Sequence, residues 1–336
     1  MTLTIKTVTF ADYEIELDKA VQKAVFDNKP RVCWHVRAEN ESGLIGWGDI
    51  APWPGFSDPA TNVERQLDSI EGQLKNIQLS GLADMGEWLD GLSVSPVIRF
   101  GLELAILDLF AQAEGVPIAA LLNSSYSRRI SVHALVDTAS NAQRSVRSGA
   151  NAVKVKLSDS WDRDLARLNA IRRAVPDTLV RVDANGAWSK NMAEERIREL
   201  SDIGVDIIEQ PVRASDLASL QQLASTCTIT MSADESVCID PKGVLEIGEL
   251  NELVLKPMYL GGIIPAFNIA SEAHKRGFKL CITHALESEI GRTGAAHLAM
   301  ASDALQPGVH GLSGAWGCEQ SQITIPHEPG LGARIK

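Results

Sequence analysis

No run of about 18 apolar residues occurs in this 336-residue chain, so no membrane-spanning helix is expected. Basic residues are in deficit: 32 Lys and Arg against 43 Asp and Glu give a net charge of −11, which argues against a protein that tracks nucleic-acid phosphates. It does not argue against a small anionic substrate, because the field of a metal ion can dominate locally. The five cysteines, Cys33, Cys227, Cys238, Cys281 and Cys318, contain no C-x-x-C pair. Scattered among apolar segments, they read as buried thiols of a reducing compartment rather than a disulfide framework. The opening Met1-Thr-Leu-Thr-Ile-Lys6 lacks the charged and then apolar regions of a signal peptide, and a cytoplasmic location is expected.

What is present is length enough for two domains, or for one large barrel with a cap. Strands are expected at Lys6–Phe10, Val32–Glu39 and Leu44–Ile50, the last two joined by the turn residues Asn40-Glu-Ser-Gly43. A Pro/Gly-rich loop, Ala51–Asp58, leads into helical periodicity at 60–74 and 95–114, which Gly115-Val-Pro117 ends. From about Ile130 the pattern becomes strict alternation. Strand candidates at 130–136, 152–157, 179–185, 206–210, 229–235, 252–256, 279–284 and 309–312 are separated by helical stretches. That predicts an α/β fold, a (β/α)₈-type barrel over residues 126–314, with an α+β capping domain over 1–125. The tail 315–336 is expected to return to the cap. A doubly wound open sheet fits less well, because no Gly-rich phosphate turn follows the first strand.

Polar residues that a barrel would not bury recur at the C-terminal ends of consecutive strands. Asp183, Glu209 and Asp234 lie about 25 residues apart, one β/α unit each, and so share one rim, where barrel active sites lie. Three oxygen ligands without His or Cys favour Mg²⁺, with Mn²⁺ possible, over zinc. One strand-end acid is more often a helix cap or a lysine's partner; three in consecutive units reverse that balance. Lys154 and Lys156, two apart on one strand, point to the same side, into the barrel. Lys256 enters from a strand beyond the acids. A dication and neighbouring ammonium groups lower a lysine's pKa, which makes a neutral base available, while the metal stabilises the enediolate left when a carbon beside a carboxylate loses its proton. His133 and His284 are read as orienting or packing residues, Met258 and Tyr259 as packing near the site mouth, and Trp34 and Trp47 as cap core.

At these residues the chain resembles the enolase superfamily, in its muconate-lactonizing-enzyme subgroup. Lys154-x-Lys156, Asp183-Ala-Asn185, Glu209-Gln-Pro211, Asp234-Glu-Ser236 and Leu255-Lys-Pro257 follow that pattern in order and spacing, over essentially the whole chain. The resemblance implies a modified (β/α)₇β barrel, with Asp183, Glu209 and Asp234 as Mg²⁺ ligands and Lys156 and Lys256 facing the substrate.

Within the subgroup, Gly46-Trp-Gly-Asp-Ile-Ala-Pro-Trp-Pro-Gly-Phe-Ser57 and Leu286-Glu-Ser-Glu-Ile-Gly291 are similar to segments of the o-succinylbenzoate synthase family, with Asp49 and Trp53 in place of that family's Glu and Leu. By that resemblance the enzyme is a hydro-lyase that converts 2-succinyl-6-hydroxy-2,4-cyclohexadiene-1-carboxylate to o-succinylbenzoate by syn dehydration, in menaquinone biosynthesis. Lys156 would be its acid/base, Lys256 the cation over the ring and Lys154 a tuner of Lys156. Arg181, Asn185, Pro54, Gly55, Phe56, Ser57, Glu287 and Ser288 would contact the substrate, a small carboxylate.

Three alternatives stay open. An N-succinylamino-acid racemase would use Lys156 and Lys256 as two bases. A dipeptide epimerase is disfavoured, because Gly308-Val-His-Gly-Leu-Ser-Gly314 lacks the acids that hold an ammonium group. An inactive binding protein of the same fold is disfavoured by the intact acids and lysines.

Overall fold

A computed structural model describes residues 2–17, 25–313, 321–324 and 328–334. The N-terminal part is an antiparallel sheet of β1 (Leu3–Ile15), β2 (Arg31–Asn40), β3 (Ile45–Ile50) and β4 (Lys75–Leu79), in the order β3-β2-β1-β4. Burial along β2 alternates, as a sheet with one covered face requires. Strand β4 was not legible in the sequence: only Ile77 and Leu79 of its five residues turn inward, too few for a visible alternation.

Helices α1 (Ala60–Ile70), α2 (Leu82–Gly91) and α3 (Pro96–Glu114) follow. Helix α3 starts with Pro96 at its first turn and ends on Gly115 in the left-handed conformation (φ 71°), as the sequence predicts. It is buried on nearly every side and lies so close to β3 that a Cβ at Gly46 or Gly48 would strike the α3 backbone carbonyls of Ala105 or Gly101. The two glycines of the Gly46-Trp-Gly48 segment are thus packing residues.

Helix α4 (Ile118–Leu122) leads to the barrel. Its strands are β5 (Arg129–Val132) with β6 (Ala134–Leu135), β7 (Ala152–Lys156), β8 (Leu179–Asp183), β9 (Ile207–Glu209), β10 (Thr230–Ala233), β11 (Glu252–Leu255), β12 (Lys279–Ile282) and β13 (Val309–His310). The expected strand 130–136 is broken at His133 into β5 and β6, which serve different neighbours: β6 pairs with β7, and β5 with β13. A bridge from Thr283 to Gly311 links β12 to β13, and every strand pair within the ring is parallel. Helices α5 (Ala139–Arg147), α6 (Trp161–Ala174), α7 (Lys190–Ile203), α8 (Leu217–Thr226), the short pair α9 (Glu235–Ile239) and α10 (Pro241–Leu245), α11 (Ile263–Lys275) and α12 (Glu289–Asp303) fill the connections. The result is a (β/α)₇β barrel.

The described parts of the tail go two ways. β14 (Gln322–Thr324) adds antiparallel to β5 of the barrel, whereas Gly330 pairs with Pro117 and Leu331 donates its N–H to Asp108 of α3 at 2.8 Å. Of the tail expected to return to the cap, residues 315–320, 325–327 and 335–336 lie outside the described residues, as does Cys318. Cys33, Cys227, Cys238 and Cys281 are free thiols. Among the described residues no helix is long and apolar enough to cross a membrane.

Candidate active site at the barrel mouth

Parallel register places Lys156 beside Asp183 and Asp183 beside Glu209, while Ser232 pairs with Glu209, so Asp234 follows on the same rim. The three carboxylates are each 1–2 % exposed, which demands positive partners. Lys154 supplies one, its Nζ lying 2.8 Å from Asp183 Oδ2 and 2.6 Å from Glu209 Oε1. Lys256 Nζ sits on both carboxylate oxygens of Asp234. From below, Arg181 reaches Glu209 Oε2 at 3.0 Å and Glu252 Oε1 at 2.5 Å, and Ser232 Oγ donates to the same Glu252 oxygen.

Burial opposes the charge on Lys154, but Asp183 and Glu209 outweigh it and hold the ammonium above its ordinary range. Burial likewise opposes ionisation of Glu209, and Lys154 with Arg181 reverses that, keeping its carboxyl low. Asp234 goes the other way: burial, reinforced by Glu235 and Glu209, pushes its carboxyl up to about 8 despite Lys256.

The local backbone is built around these acids. Asn185 and Gln210, each two or one residues past a carboxylate, take left-handed φ values of 46° and 40°, a conformation that turns the chain out of the strand at a small energetic cost. Asn185 N–H donates to Asp183 Oδ1 at 2.9 Å. The buried amide of Gln210 is fully used: Oε1 accepts from the N–H groups of Asp234 and Ser236, and Nε2 donates to Val212 O and Ser236 Oγ. It fixes the backbone that presents Asp234.

As the residues stand, no three metal-ligating side chains of the described residues converge closely enough to hold an ion. The reason is visible in the ion pairs: lysine ammonium groups, not a shared cation, neutralise Asp183, Glu209 and Asp234. The donor set nonetheless fits a hard dication: three buried carboxylates on adjacent strand ends, with no thiolate or imidazole among them, are the oxygen ligands such an ion takes.

Beside the carboxylates opens a cavity of about 680 Å³, lined by Lys156, Lys256, Asn185 and Glu235 on the polar side and by Trp53, Phe56, Leu157, Tyr259, Ala285 and Leu286 among others. Of the residues expected at the substrate, Phe56 and Asn185 line it, and Lys256 Nζ lies 5.1 Å from the Phe56 ring centroid. Pro54, Gly55 and Ser57 form the turn that carries Phe56: the Trp53 carbonyl accepts from the N–H groups of Phe56 and Ser57, and Ser57 Oγ accepts from Trp53 N–H at 2.9 Å.

Three expected contacts lie behind the wall. Arg181 is spent on Glu209 and Glu252 and faces a second cavity at the opposite mouth of the barrel, because period-2 geometry sets it two residues below Asp183. Ser288 donates through both N–H (3.0 Å) and Oγ (2.6 Å) to Asp49 of the cap, and Glu287 accepts from Ala285 N–H. Ser288 therefore joins cap to barrel, while Glu287 braces the loop that carries it.

Sequence reasoning missed the other members of that seam. Tyr13 stacks on His35 with ring centroids 3.8 Å apart and donates to Asp49 Oδ1 at 2.6 Å. Arg31, wholly buried, donates to Ala51 O and Pro52 O in the cap and to Ala285 O and Leu286 O in the barrel. Its position at a strand start, beside Lys29-Pro30, gave no signal; two of its partners are backbone carbonyls more than 250 residues away.

Residues 137–336 match the family described as "Enolase C-terminal domain-like". The chain is 31% identical over 310 residues to a hydrophobic dipeptide epimerase of Enterococcus faecalis, covering 86% of this chain and 84% of that one. It is 29% identical over 307 residues to an o-succinylbenzoate synthase of Desulfotalea psychrophila, covering 80% and 82%. The crystal structure of the Enterococcus faecalis epimerase complexed with Mg and the dipeptide L-Leu-L-Tyr superposes with a TM-score of 0.86 at 24% identity, over 98% of this chain and 99% of that one. Dipeptide epimerases, disfavoured from the strand-eight sequence, thus stand among the relatives beside the synthases. The chain belongs to the enolase superfamily, with an Enolase C-terminal domain-like barrel beneath its antiparallel cap.

Proposed function

We propose that the chain is an o-succinylbenzoate synthase, a hydro-lyase acting on 2-succinyl-6-hydroxy-2,4-cyclohexadiene-1-carboxylate. The observation that carries the reading is the placement of Phe56. The cap turn Trp53–Ser57, which resembles the synthases in sequence, delivers its aromatic ring into the cavity shared by Lys156 and Lys256. The absence of an acid in Gly308–Gly314 supports it further, since an epimerase acting on a free dipeptide ammonium needs a negative partner there.

Asp183, Glu209 and Asp234 would hold Mg²⁺, or Mn²⁺, and the ion when bound supplies the positive charge that stabilises the substrate carboxylate as its α-carbon loses a proton. Binding it asks Lys256 to leave Asp234, which frees that ammonium to lie over the ring. Lys156, at the end of β7 and lining the cavity, takes the proton and returns it to the departing hydroxyl on the same face. Lys154, which now lies between Asp183 and Glu209, would likewise have to give up part of that contact, and its ammonium, two residues from Lys156 on the same strand, would tune the base. Loss of water aromatises the ring, so the enzyme has only to start the elimination. Trp53, Phe56 and Leu157 supply the apolar part of the wall around the base. The cap (1–125), the barrel (126–314) and the tail form one catalytic unit in this reading, joined at Arg31 and Asp49.

A second reading, an N-succinylamino-acid racemase, is favoured by the presence of both lysines in one cavity. The two separate in one experiment: ultraviolet detection of o-succinylbenzoate with Mg²⁺, run beside solvent-deuterium exchange on N-succinylamino acids. Fast dehydration supports the synthase; fast exchange without dehydration replaces it by the racemase.

A further inference from the structure

Below the three acids the barrel interior holds a fourth buried carboxylate that the substrate cavity does not reach. Glu252 opens β11 and is 5 % exposed, and Arg181, two residues below Asp183, is 2 % exposed. Neither lines the cavity shared by Lys156 and Lys256; both line the second cavity, at the opposite mouth. Glu252 therefore acts on the reaction only through what it touches. Its Oε1 accepts from Arg181 Nη2 at 2.5 Å and from Ser232 Oγ at 2.9 Å, and Ser232 is its register neighbour on β10. Burial opposes the charge of the guanidinium, and Glu252 is foremost among the groups that hold it above its ordinary range.

The other arm of Arg181 lies on Glu209. Nη1 donates to Oε2 at 3.0 Å, while Oε1 of the same carboxylate meets Lys154 at 2.6 Å. Glu209 is thus divided, one oxygen held from below and one offered at the rim. A guanidinium is a planar fork that readily sets two N–H groups on the two oxygens of one carboxylate. Here Glu252 occupies the second arm of the fork, so Arg181 grips Glu209 by a single oxygen. Glu252 also balances the charge of Arg181. An unbalanced guanidinium would compete with a cation at the rim for the negative charge of Glu209.

We propose that Glu252 is a positioning residue: acting through Arg181, it keeps one oxygen of Glu209 free for the rim and so raises the affinity of the rim for a divalent cation. This rests on the proposed reading of Asp183, Glu209 and Asp234 as the metal ligands, and not on which substrate follows.

The test is Mn²⁺ binding to the full-length, EDTA-stripped protein without substrate, read from the electron paramagnetic resonance of free Mn²⁺. Glu252→Gln keeps the size of the side chain and an acceptor for Arg181 and Ser232, and removes the charge. It should weaken Mn²⁺ binding roughly 10-fold, the low end of what a ligand's hydrogen-bond partner supplies. Glu252→Asp keeps the charge on a shorter arm and should lose about 3-fold; it carries the test if the amide variant does not fold. On an Arg181→Met background, Glu252→Gln should change the Kd less than about twofold, because the route to Glu209 is gone. A structural role alone would lower the melting temperature of the metal-free variants and leave their Kd within about twofold of the wild type. That result overturns the proposal, as does a loss that persists undiminished on the Arg181→Met background. A wild type that binds no Mn²⁺ overturns the metal reading and this proposal together, whereas tight wild-type binding with an unaffected variant overturns the role of Glu252 alone.

Discussion

Replacing Arg31 by Met removes the seam between cap and barrel while keeping the side chain's length and apolar bulk. Arg31 is 1 % exposed and forms no ion pair with a carboxylate among the described residues; its donors go to four carbonyls, Pro52 at 2.9 Å, Ala51 at 2.5 Å, Ala285 at 2.8 Å and Leu286 at 2.9 Å. Its guanidinium carbon also stands 4.9 Å from the Trp53 ring centroid. A buried carbonyl that loses its donor costs about 1 kcal/mol when it can still admit water, so four cost about 4 kcal/mol. The cation–π contact adds about 0.5–1 kcal/mol. Relief from burying the charge offsets part of this, leaving a net loss of about 3–4 kcal/mol.

For a protein of this size that is a fall of roughly 4–6 °C in melting temperature, read by calorimetry or circular dichroism at matched protein and Mg²⁺ concentrations. Arg31→Lys, which keeps the charge but cannot fork across the seam, should fall between. Because the carbonyls anchor the turn that carries Phe56, KM should rise in Arg31→Met more than kcat falls. A variant that melts within about 1 °C of the wild type refutes the seam's role.

Further outcomes follow from single side chains. Lys156→Ala should abolish dehydration with an unchanged melting temperature; retained turnover would remove Lys156 as the base. Glu287 is pushed up to about 7, foremost by burial and then by Asp49. A raised acid stabilises the fold below its unfolded pKa and loses that contribution as pH rises through the folded one. Between about pH 4.5 and 7 the wild type should therefore lose stability relative to Glu287→Gln, by up to about 3 kcal/mol, in paired melting curves. Gly291→Ala should destabilise by about 1–3 kcal/mol, because its Cβ would come to 2.5 Å from Glu287 Cγ and 2.8 Å from Asp49 Oδ2; urea midpoints measure it.

The barrel was legible because period and punctuation agree along it: each β/α unit has an apolar run, a turn signal and a polar strand end. The acids and lysines were legible for the same reason: Lys156, Asp183 and Glu209 end their strands, Asp234 and Lys256 directly follow theirs, and Lys154 lies two residues before Lys156. What escaped lies where the physics is not periodic. β4 is a short edge strand with three of five residues exposed. The interruption at His133 depends on which neighbour each half must pair with, a property of closure rather than of the segment. Arg181 reads in sequence as one more polar residue beside Asp183, yet two residues along a strand carry it below the rim, onto Glu209 and Glu252. Arg31 acquires its meaning only from the cap's docking, since its surroundings come from segments distant in the chain.

The central claim, metal-dependent removal of a proton beside a carboxylate, is tested most directly by turnover of the hydroxycyclohexadiene carboxylate before chelation, in excess EDTA, and after Mg²⁺ is restored. The account predicts o-succinylbenzoate formation that vanishes with EDTA and returns with Mg²⁺ in the wild type, and does not return in Asp234→Asn. Dehydration that proceeds undiminished in EDTA, or that Asp234→Asn leaves intact, contradicts it.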